Sequence, residues 1–468
     1  MQTQGTAGAS APPGEEISTL ERLLLQLERN LETLTLSLQE QRDALTQVKT
    51  FGRNPQTATP IFTQQAISVL SQYALDLHKS NEASREALRC LANAFLLHEP
   101  SRQVFVDLGY GPKAADRLTG DDADDEFLIA RILFYLTYNT TLDFQILLDQ
   151  HGLAENIHRH ISRHATRYSK PVKRDSATAS RDEAAMSETC KLMFNVTYHY
   201  PGSVSKFTPA IEPLITILLL HDLPRPPLQS PTNYLLNALL NLDLQAAEKK
   251  TPLGREARSS PMFPYSDAES LVNRLINILD AAIRQQPEPD LEQAAAPLCT
   301  LLRRLYELAT SQMKAYMRWL LLPNPKDRDR PLGQGDTLSS RLLRLSCSPN
   351  LPSLRGNISA LLFELSDKDA TKFVQNIGYG FASGFLMSQN IQVSANAADA
   401  SSSSSLDGFN PITGQRLSAE SREELGMAMT EEEKEREAER LFVLFERLKA
   451  TGVVDVKNPV EGRFEEID

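Results

Sequence analysis

The residues best equipped for chemistry are few. Four histidines, His151, His158, His160 and His164, sit close together, and His160 and His164 are spaced to share one helix face. That spacing is used by zinc-binding helices. Without a Glu or Cys completing the set, the cluster reads better as solvated or capping histidines near the end of a repeat. The stretch GYGFASG (378–384) invites a nucleotide-loop reading, but its third glycine is one place late for GxGxxG and no strand precedes it. A turn with close helix packing fits it better. Neither GxxxxGK[ST] nor GxSxG occurs in the chain. The sequence points to no metal, no cofactor and no bond-making centre.

The cations carry more information. Lys49 and Arg53 flank a turn after a leucine-rich helix, Arg85 and Arg89 lie one turn apart on the helix that carries Asn93, and Arg131 precedes Asn139 by about two turns. On one face these residues make a basic, Asn-lined trough. Such a trough suits an amphipathic peptide helix that ends in a carboxylate. Ordinary solvated surface arginines are the competing reading.

The elements that position these residues are helices. Ile17, Leu20, Leu24, Leu27, Leu31, Leu34 and Leu38 recur at three- and four-residue steps, predicting one leucine-rich helix. Beyond it come REALRCLANAFLL (85–97), FLIARILFYLTYNT (127–140), SETCKLMFNVTY (187–198), NYLLNALLNLDL (233–244), LCTLLRRLYELA (298–309) and GNISALLFELSD (356–367). Each places one polar residue near its end: Asn93, Asn139, Asn195, Asn241, Glu307 and Glu364. The shorter intervals, 46 residues from Asn93 to Asn139 and from Asn195 to Asn241, match the armadillo/HEAT period. Longer intervals hold Pro-, Gly- and charge-rich inserts at 169–183, 246–261 and 323–336, which read as surface loops. The fold class expected is all-α, an armadillo/HEAT-like helical repeat solenoid with a C-terminal docking helix. The recurring Asn residues either satisfy carbonyls of the neighbouring repeat, as a packing ladder, or bind a partner's main chain.

Composition sets the class. The 468 residues carry 49 Lys and Arg against 60 Asp and Glu, a net charge of −11, which argues against a general nucleic-acid binder. Residues 401–468 hold 16 acids and 9 bases, so the tail takes −7 and the first 400 residues only −4. Cys90, Cys190, Cys299 and Cys347 lie far apart and read as buried free thiols. No secretory signal is visible at the start, and apolar runs such as 214–220 are too short to span a bilayer. A soluble cytoplasmic protein is expected. Five segments are expected: a loose start (1–16), the solenoid (17–390), a low-complexity linker (391–410), an NPxTG motif with an amphipathic helix (411–452) and an acidic tail (453–468). Thr430 and Glu433 form a capping box for that last helix, which gathers Leu441, Phe442, Leu444, Phe445 and Leu448 in its second half.

Read in order, SREALRCLANAFLL, FVDLGYG, ARILFYLTYNT, LMFNVTYHYP, SDKDATKFVQNIGYGFASGFLM, NPITGQRL and MTEEEKEREAERLFVLFERL resemble the synembryns, the resistance-to-inhibitors-of-cholinesterase proteins, and most of all their fungal members. The resemblance spans roughly residues 51–463. It implies a guanine nucleotide exchange factor and folding chaperone for heterotrimeric G-protein α subunits (Gα). In such a protein the groove grips the C-terminal helix of Gα and draws it off the Gα β-sheet, so that GDP leaves. No bond is made or broken. By position in the matching motifs, Lys49, Arg53 and Asn93 are expected at the end of the Gα helix and Phe134 as an apolar contact. Arg85, Arg89 and Arg131 join them by face, and Asn139, Asn195 and Asn241 by repeat logic. Leu441, Phe442 and Phe445 are expected to contact the GTPase domain. Animal members carry an acidic, phosphorylated linker where this chain has a serine run, so Ser404 and Ser405 are phosphorylation candidates, Ser404 with Asp407 at +3. The partners expected are GDP-bound and nucleotide-free Gα, with no nucleic acid and no integral membrane segment. A monomer in the cytoplasm is expected, recruited to the cell cortex or plasma membrane through Gα. A passive armadillo scaffold that binds peptides is the alternative, and a histidine- or metal-dependent enzyme the third reading.

Overall fold

The computed structural model describes residues 13–77, 80–170, 175–249, 260–264, 266–391, 408–410 and 412–420. Helices dominate these residues, as the three- and four-residue apolar steps dictate, and one isolated bridge joins Phe409 to Arg416. From the N-terminus come α1 (Pro13–Thr33), α2 (Leu38–Phe51), α3 (Gln64–Ser71), α4 (Glu82–Leu97), α5 (Pro100–Asp107), α6 (Tyr110–Arg117) and α7 (Ala123–Leu136). Next are α8 (Phe144–Gln150), α9 (Leu153–Ser169), α10 (Ser176–His199), α11 (Ile211–Leu220), α12 (Thr232–Leu240) and α13 (Leu244–Lys249). The remainder are α14 (Ser270–Gln285), α15 (Glu288–Leu308), α16 (Ser311–Leu321), α17 (Leu338–Leu345), α18 (Pro352–Leu365), α19 (Ala370–Ile377) and α20 (Tyr379–Ser388).

The chain divides into two compact units. The first, residues 1–322 and 341–369, is the repeat array. Here α2, α4, α7, α10, α12, α15 and α18 form one row, each packed on the next. A second row backs it, with α3 against α4, α9 against α10, α11 against α12 and α14 against α15. One helix of such a pair cannot bury its apolar stripe alone, and stacking makes the core continuous. Leu45, Leu91, Leu133, Met193, Leu239, Leu302 and Leu362 carry that core along the first row, each buried. This is the all-α, armadillo/HEAT-like repeat that the period predicted.

Local chemistry adjusts the expected boundaries. The leucine-rich stretch is two helices, because Leu34 adopts a left-handed conformation (φ 50°). Asn30 makes that break favourable: its carbonyl oxygen accepts from the Leu36 amide at 2.7 Å, and its amide donates to the Tyr73 hydroxyl at 2.7 Å. A Ser37–Glu40 capping box then restarts the helix. α1 begins at Pro13, within the segment expected to be loose. In the insert expected as a loop at 169–183, Asp175 caps α10 and residues 176–183 form its first two turns.

Pro201–Leu220 is long and apolar enough to cross a membrane by length and composition. Half of it is buried in the fold, and it is divided between a 3-10 helix (Pro201–Ala210) and α11, which packs on α9, α12 and α14 and buries Leu214, Ile217 and Leu218.

The second unit comprises residues 323–340 and 370–468. Its centre is Arg328, which is 8% exposed. The guanidinium donates to the carbonyls of Gly414 (3.0 Å), Gln375 (3.0 Å) and Asn376 (2.8 Å), and lies 4.7 Å from the centroid of the Phe409 ring. The Leu332 amide donates to Thr413, and the Arg416 amide to Arg328. The 323–336 insert is therefore not a free surface loop. It seats the NPITGQRL segment. The GYGFASG turn serves the same contact: Gly378 has φ +80°, and a Cβ there would stand 2.8 Å from the Ile412 carbonyl, which accepts from the Gly380 amide.

A candidate partner-binding face

Each helix of the first row shows one half-buried stripe at helical spacing. On α4 it runs Glu86, Arg89, Asn93; on α7, Phe127, Arg131, Phe134; on α10, Lys191 and Phe194; on α12, Tyr234 and Asn237. α4 places its stripe by an Asn81–Ser84 capping box, and α7 by Asp122, whose carboxylate accepts from the Asp124 and Asp125 amides.

The predicted asparagines act mainly as packing ties. Asn93 donates to the Lys49 carbonyl at 3.4 Å, joining α4 to α2. Asn241, at the C-cap of α12, donates to the Phe194 carbonyl of α10 at 3.1 Å. Asn195 is buried and donates to the Thr137 hydroxyl at 2.8 Å, so its amide is spent inside the array and does not line the face. Asn139 lies beyond the end of α7 in a left-handed conformation (φ 54°), exposed, and donates to Glu99 at 2.8 Å. It caps a turn and does not belong to the ladder. At the next rung the same task falls to an arginine, as Arg304 of α15 donates to the Leu240 and Leu242 carbonyls.

The cations expected to make a basic trough are largely compensated by carboxylates. Lys49 lies 2.5 Å from Glu86, and Arg89 lies 2.7 Å from the same carboxylate. Arg85 pairs with Asp125 at 2.8 Å and Asp122 at 3.1 Å, away from Arg89 despite the one-turn spacing. Arg131 pairs with Glu188 at 2.7 Å, shares it with Lys191, and lies over the Phe127 ring. Of Lys49, Arg53, Arg85, Arg89, Arg131 and Lys191, only Arg53, in the turn after α2, is exposed and makes no hydrogen bond or ion pair among the described residues. Sequence spacing placed the cations and missed their carboxylates, because Glu86, Asp125 and Glu188 reach them across helices or one turn along.

Beside Phe134 stands an aromatic cluster that the sequence reading did not single out. Phe134 meets Tyr138 edge-on at 5.4 Å, Tyr138 meets His199 at 6.4 Å, His199 meets Tyr198 at 5.2 Å, and Tyr198 stacks on Phe194 at 6.2 Å. Tyr198 is 66% exposed and Tyr138 40%. The signal was present as aromatic pairs four apart, 134/138 and 194/198, each at a helix end. Exposed, mutually packed aromatics next to charged groups are what protein-binding hot spots are made of.

Of the four histidines, His151 caps α8 and pairs with Asp116, as a capping role predicts, whereas His160 and His164 are not surface groups. His160 and His164 are 1% exposed and close on the buried Glu126. His164 Nε2 is 3.0 Å from both Glu126 oxygens, His160 Nδ1 is 3.3 Å away, Thr189 donates at 2.7 Å, and Arg163 pairs with it too. Burial alone would raise the Glu126 pKa, but the bonds from His160 and His164 prevail and hold it well below the usual carboxylate range. No group of three metal-ligating side chains is found among the described residues. Cys90, Cys190 and Cys299 are buried free thiols, whereas Cys347 is exposed, contrary to expectation. Leu441, Phe442, Phe445, Ser404 and Ser405 lie outside the described residues.

Residues 44–466 match the family model described as guanine nucleotide exchange factor synembryn. A synembryn-like chaperone of Schizosaccharomyces pombe is 24% identical over 418 residues, covering 81% of this chain and 75% of that protein. Chaperone Ric-8A of Xenopus tropicalis is 24% identical over 468 residues, covering 92% and 85%. Among solved structures, a designed armadillo repeat protein is similar with a TM-score of 0.36 and 14% identity, over 74% of this chain and 99% of that one.

Proposed function

The chain belongs to the guanine nucleotide exchange factor synembryn family, and on that premise we propose that it binds the α subunits of heterotrimeric G proteins, promotes release of GDP and protects the empty subunit as a chaperone. The observation that supports the reading is that one row of helices carries a cluster of cations near one end, with an exposed aromatic strip further along. Lys49, Arg53, Arg89 and Asn93 suit the terminal carboxylate of the Gα C-terminal helix, and Phe134, Tyr138, Phe194 and Tyr198 suit its apolar side. Arg85 and Arg131 hold the row in shape through their carboxylates.

Exchange then follows from linkage. A protein that prefers Gα with its C-terminal helix displaced weakens nucleotide binding by the same factor by which nucleotide weakens its own grip. The same preference shields apolar surface of an incompletely folded subunit. The segment holding Leu441, Phe442 and Phe445, expected from its sequence to be helical, is the proposed second contact, on the GTPase domain. Phosphate on Ser404 or Ser405 is proposed to tune it. The protein acts in this reading as a cytoplasmic monomer that Gα brings to the membrane.

The decisive experiment adds purified full-length protein to GDP-loaded Gα and follows uptake of a non-hydrolysable GTP analogue. Acceleration, together with a stable complex in the absence of nucleotide, is expected. Binding without acceleration would leave a passive peptide-binding scaffold, and no binding would overturn the proposal. Arg53→Ala with Asn93→Ala should weaken the complex while helix content is retained.

A further inference from the structure

We propose that Glu86 is a built-in competitor for the carboxylate this face receives, and thereby sets how tightly a chain end is held. The inference rests on the partner-binding reading above.

Glu86 lies on α4, one turn before Arg89 and two turns before Asn93, with its side chain 13% exposed. Its carboxylate stands 2.5 Å from the Lys49 ammonium and 2.7 Å from the Arg89 guanidinium. The site formed by Lys49 and Arg89 is therefore a carboxylate site already occupied from within. A terminal carboxylate arriving there has two courses. It displaces Glu86 and leaves a mostly buried anion short of partners, or it shares two cations with a second anion at close range. Both are unfavourable, and both fall on ligands that bring a negative charge. A chain end blocked as a neutral amide meets no such opposition.

Arg53 stands outside the arrangement. It is exposed and unpaired among the described residues, so it is free to meet an incoming anion first. Glu86 then turns Lys49 and Arg89 from a standing anion trap into one that opens only for a ligand held by further contacts, the exposed Tyr138 and Tyr198 among them. Free acidic peptides and inorganic anions, lacking those contacts, are rejected. The discrimination is a difference of affinities built from a repulsive element.

The test uses full-length protein and two synthetic peptides of the Gα C-terminal helix, one ending in a free carboxylate and one in an amide. Affinities are measured for wild type, Glu86→Gln and Glu86→Asp. Glu86→Gln should bind the carboxylate peptide about fivefold more tightly and the amide peptide as wild type does. Glu86→Asp, which keeps the charge, should retain the wild-type ratio of the two affinities. That ratio is taken within one preparation, so a variant that folds only in part still reports. An unchanged ratio in Glu86→Gln, with both affinities equal to or below wild type, would mean that Glu86 only braces α2 against α4. It would overturn this inference and leave the proposed function standing. If wild type binds neither peptide, the partner-binding reading fails and the inference with it.

Discussion

Arg328 and Gly414, eighty-six positions apart in sequence, are joined at 3.0 Å by a buried guanidinium-to-carbonyl hydrogen bond. The same side chain reaches Gln375 and Asn376, so one residue ties three segments of the second unit together. Burial makes its charge harder to keep, lowering the Arg328 pKa from its ordinary value. Carbonyl dipoles and the Phe409 ring oppose that penalty.

Arg328→Ala removes the only side chain making these three bonds among the described residues and leaves three carbonyls short of a donor. A loss of about 3 kcal/mol is expected for the second unit. Hydrogen exchange should show the amides of Leu332, Gly380 and Arg416, all bonded across this contact, exchanging faster, while those of α4 and α7 keep wild-type protection.

Glu126 predicts a pH signature. Its folded pKa is depressed, so in the unfolded chain it binds a proton at higher pH than in the native protein. The stability it contributes is complete above about pH 5 and is lost as pH falls below the ordinary glutamate value toward the depressed one. Glu126→Gln should therefore be less stable than wild type at neutral pH, with the gap narrowing below about pH 4. Urea unfolding measured across that range checks the sign. Glu126→Ala, which leaves the buried His160 and His164 facing no carboxylate and Arg163 only Asp121, should cost about 3–5 kcal/mol.

Tyr198→Ala and Tyr138→Ala remove exposed aromatics whose area is not part of the core. Each should weaken binding of the Gα C-terminal peptide about tenfold, the scale of a hot-spot truncation. Melting temperatures should stay within about 1 °C of wild type. Titration calorimetry beside thermal unfolding separates the two effects.

Thiol reactivity should be uneven. Burial pushes the Cys190 and Cys299 thiols up to about 12 and raises Cys90 as well. Cys347 is exposed. Native alkylation followed by mass spectrometry should label Cys347 alone within minutes, and all four only after denaturation.

The sequence displayed the repeat clearly because each helix must show an apolar stripe at fixed spacing. Lys49 and Arg53 were equally visible beside a recognisable helix end, and Arg89 by its one-turn spacing to Asn93. What stayed hidden was whatever depends on contacts between helices. Glu86 was one charged residue among many until α2 brought Lys49 against it. His160 and His164 looked like surface groups because Glu126 lies on another helix. Asn139 matched the Asn rhythm by number but falls past the helix end in a left-handed turn, a distinction that spacing does not carry. The 323–336 insert had the composition of a loop, and nothing local marks Arg328 as the residue that reaches Gly414.

Three rungs of the first row have one property in common. Asn93 binds the carbonyl of Lys49, Asn241 that of Phe194, and Arg304 those of Leu240 and Leu242. Each of these bonds ends on a main-chain carbonyl, which any amino acid supplies, although Asn241 also reaches the Thr197 hydroxyl at 3.4 Å. The side chain at 194 can therefore change without removing the Asn241 bond, whereas the one at 49 also carries the ion pair to Glu86 between α2 and α4. Packing between these helices and the chemistry of the face they present are thus partly separable on the same elements.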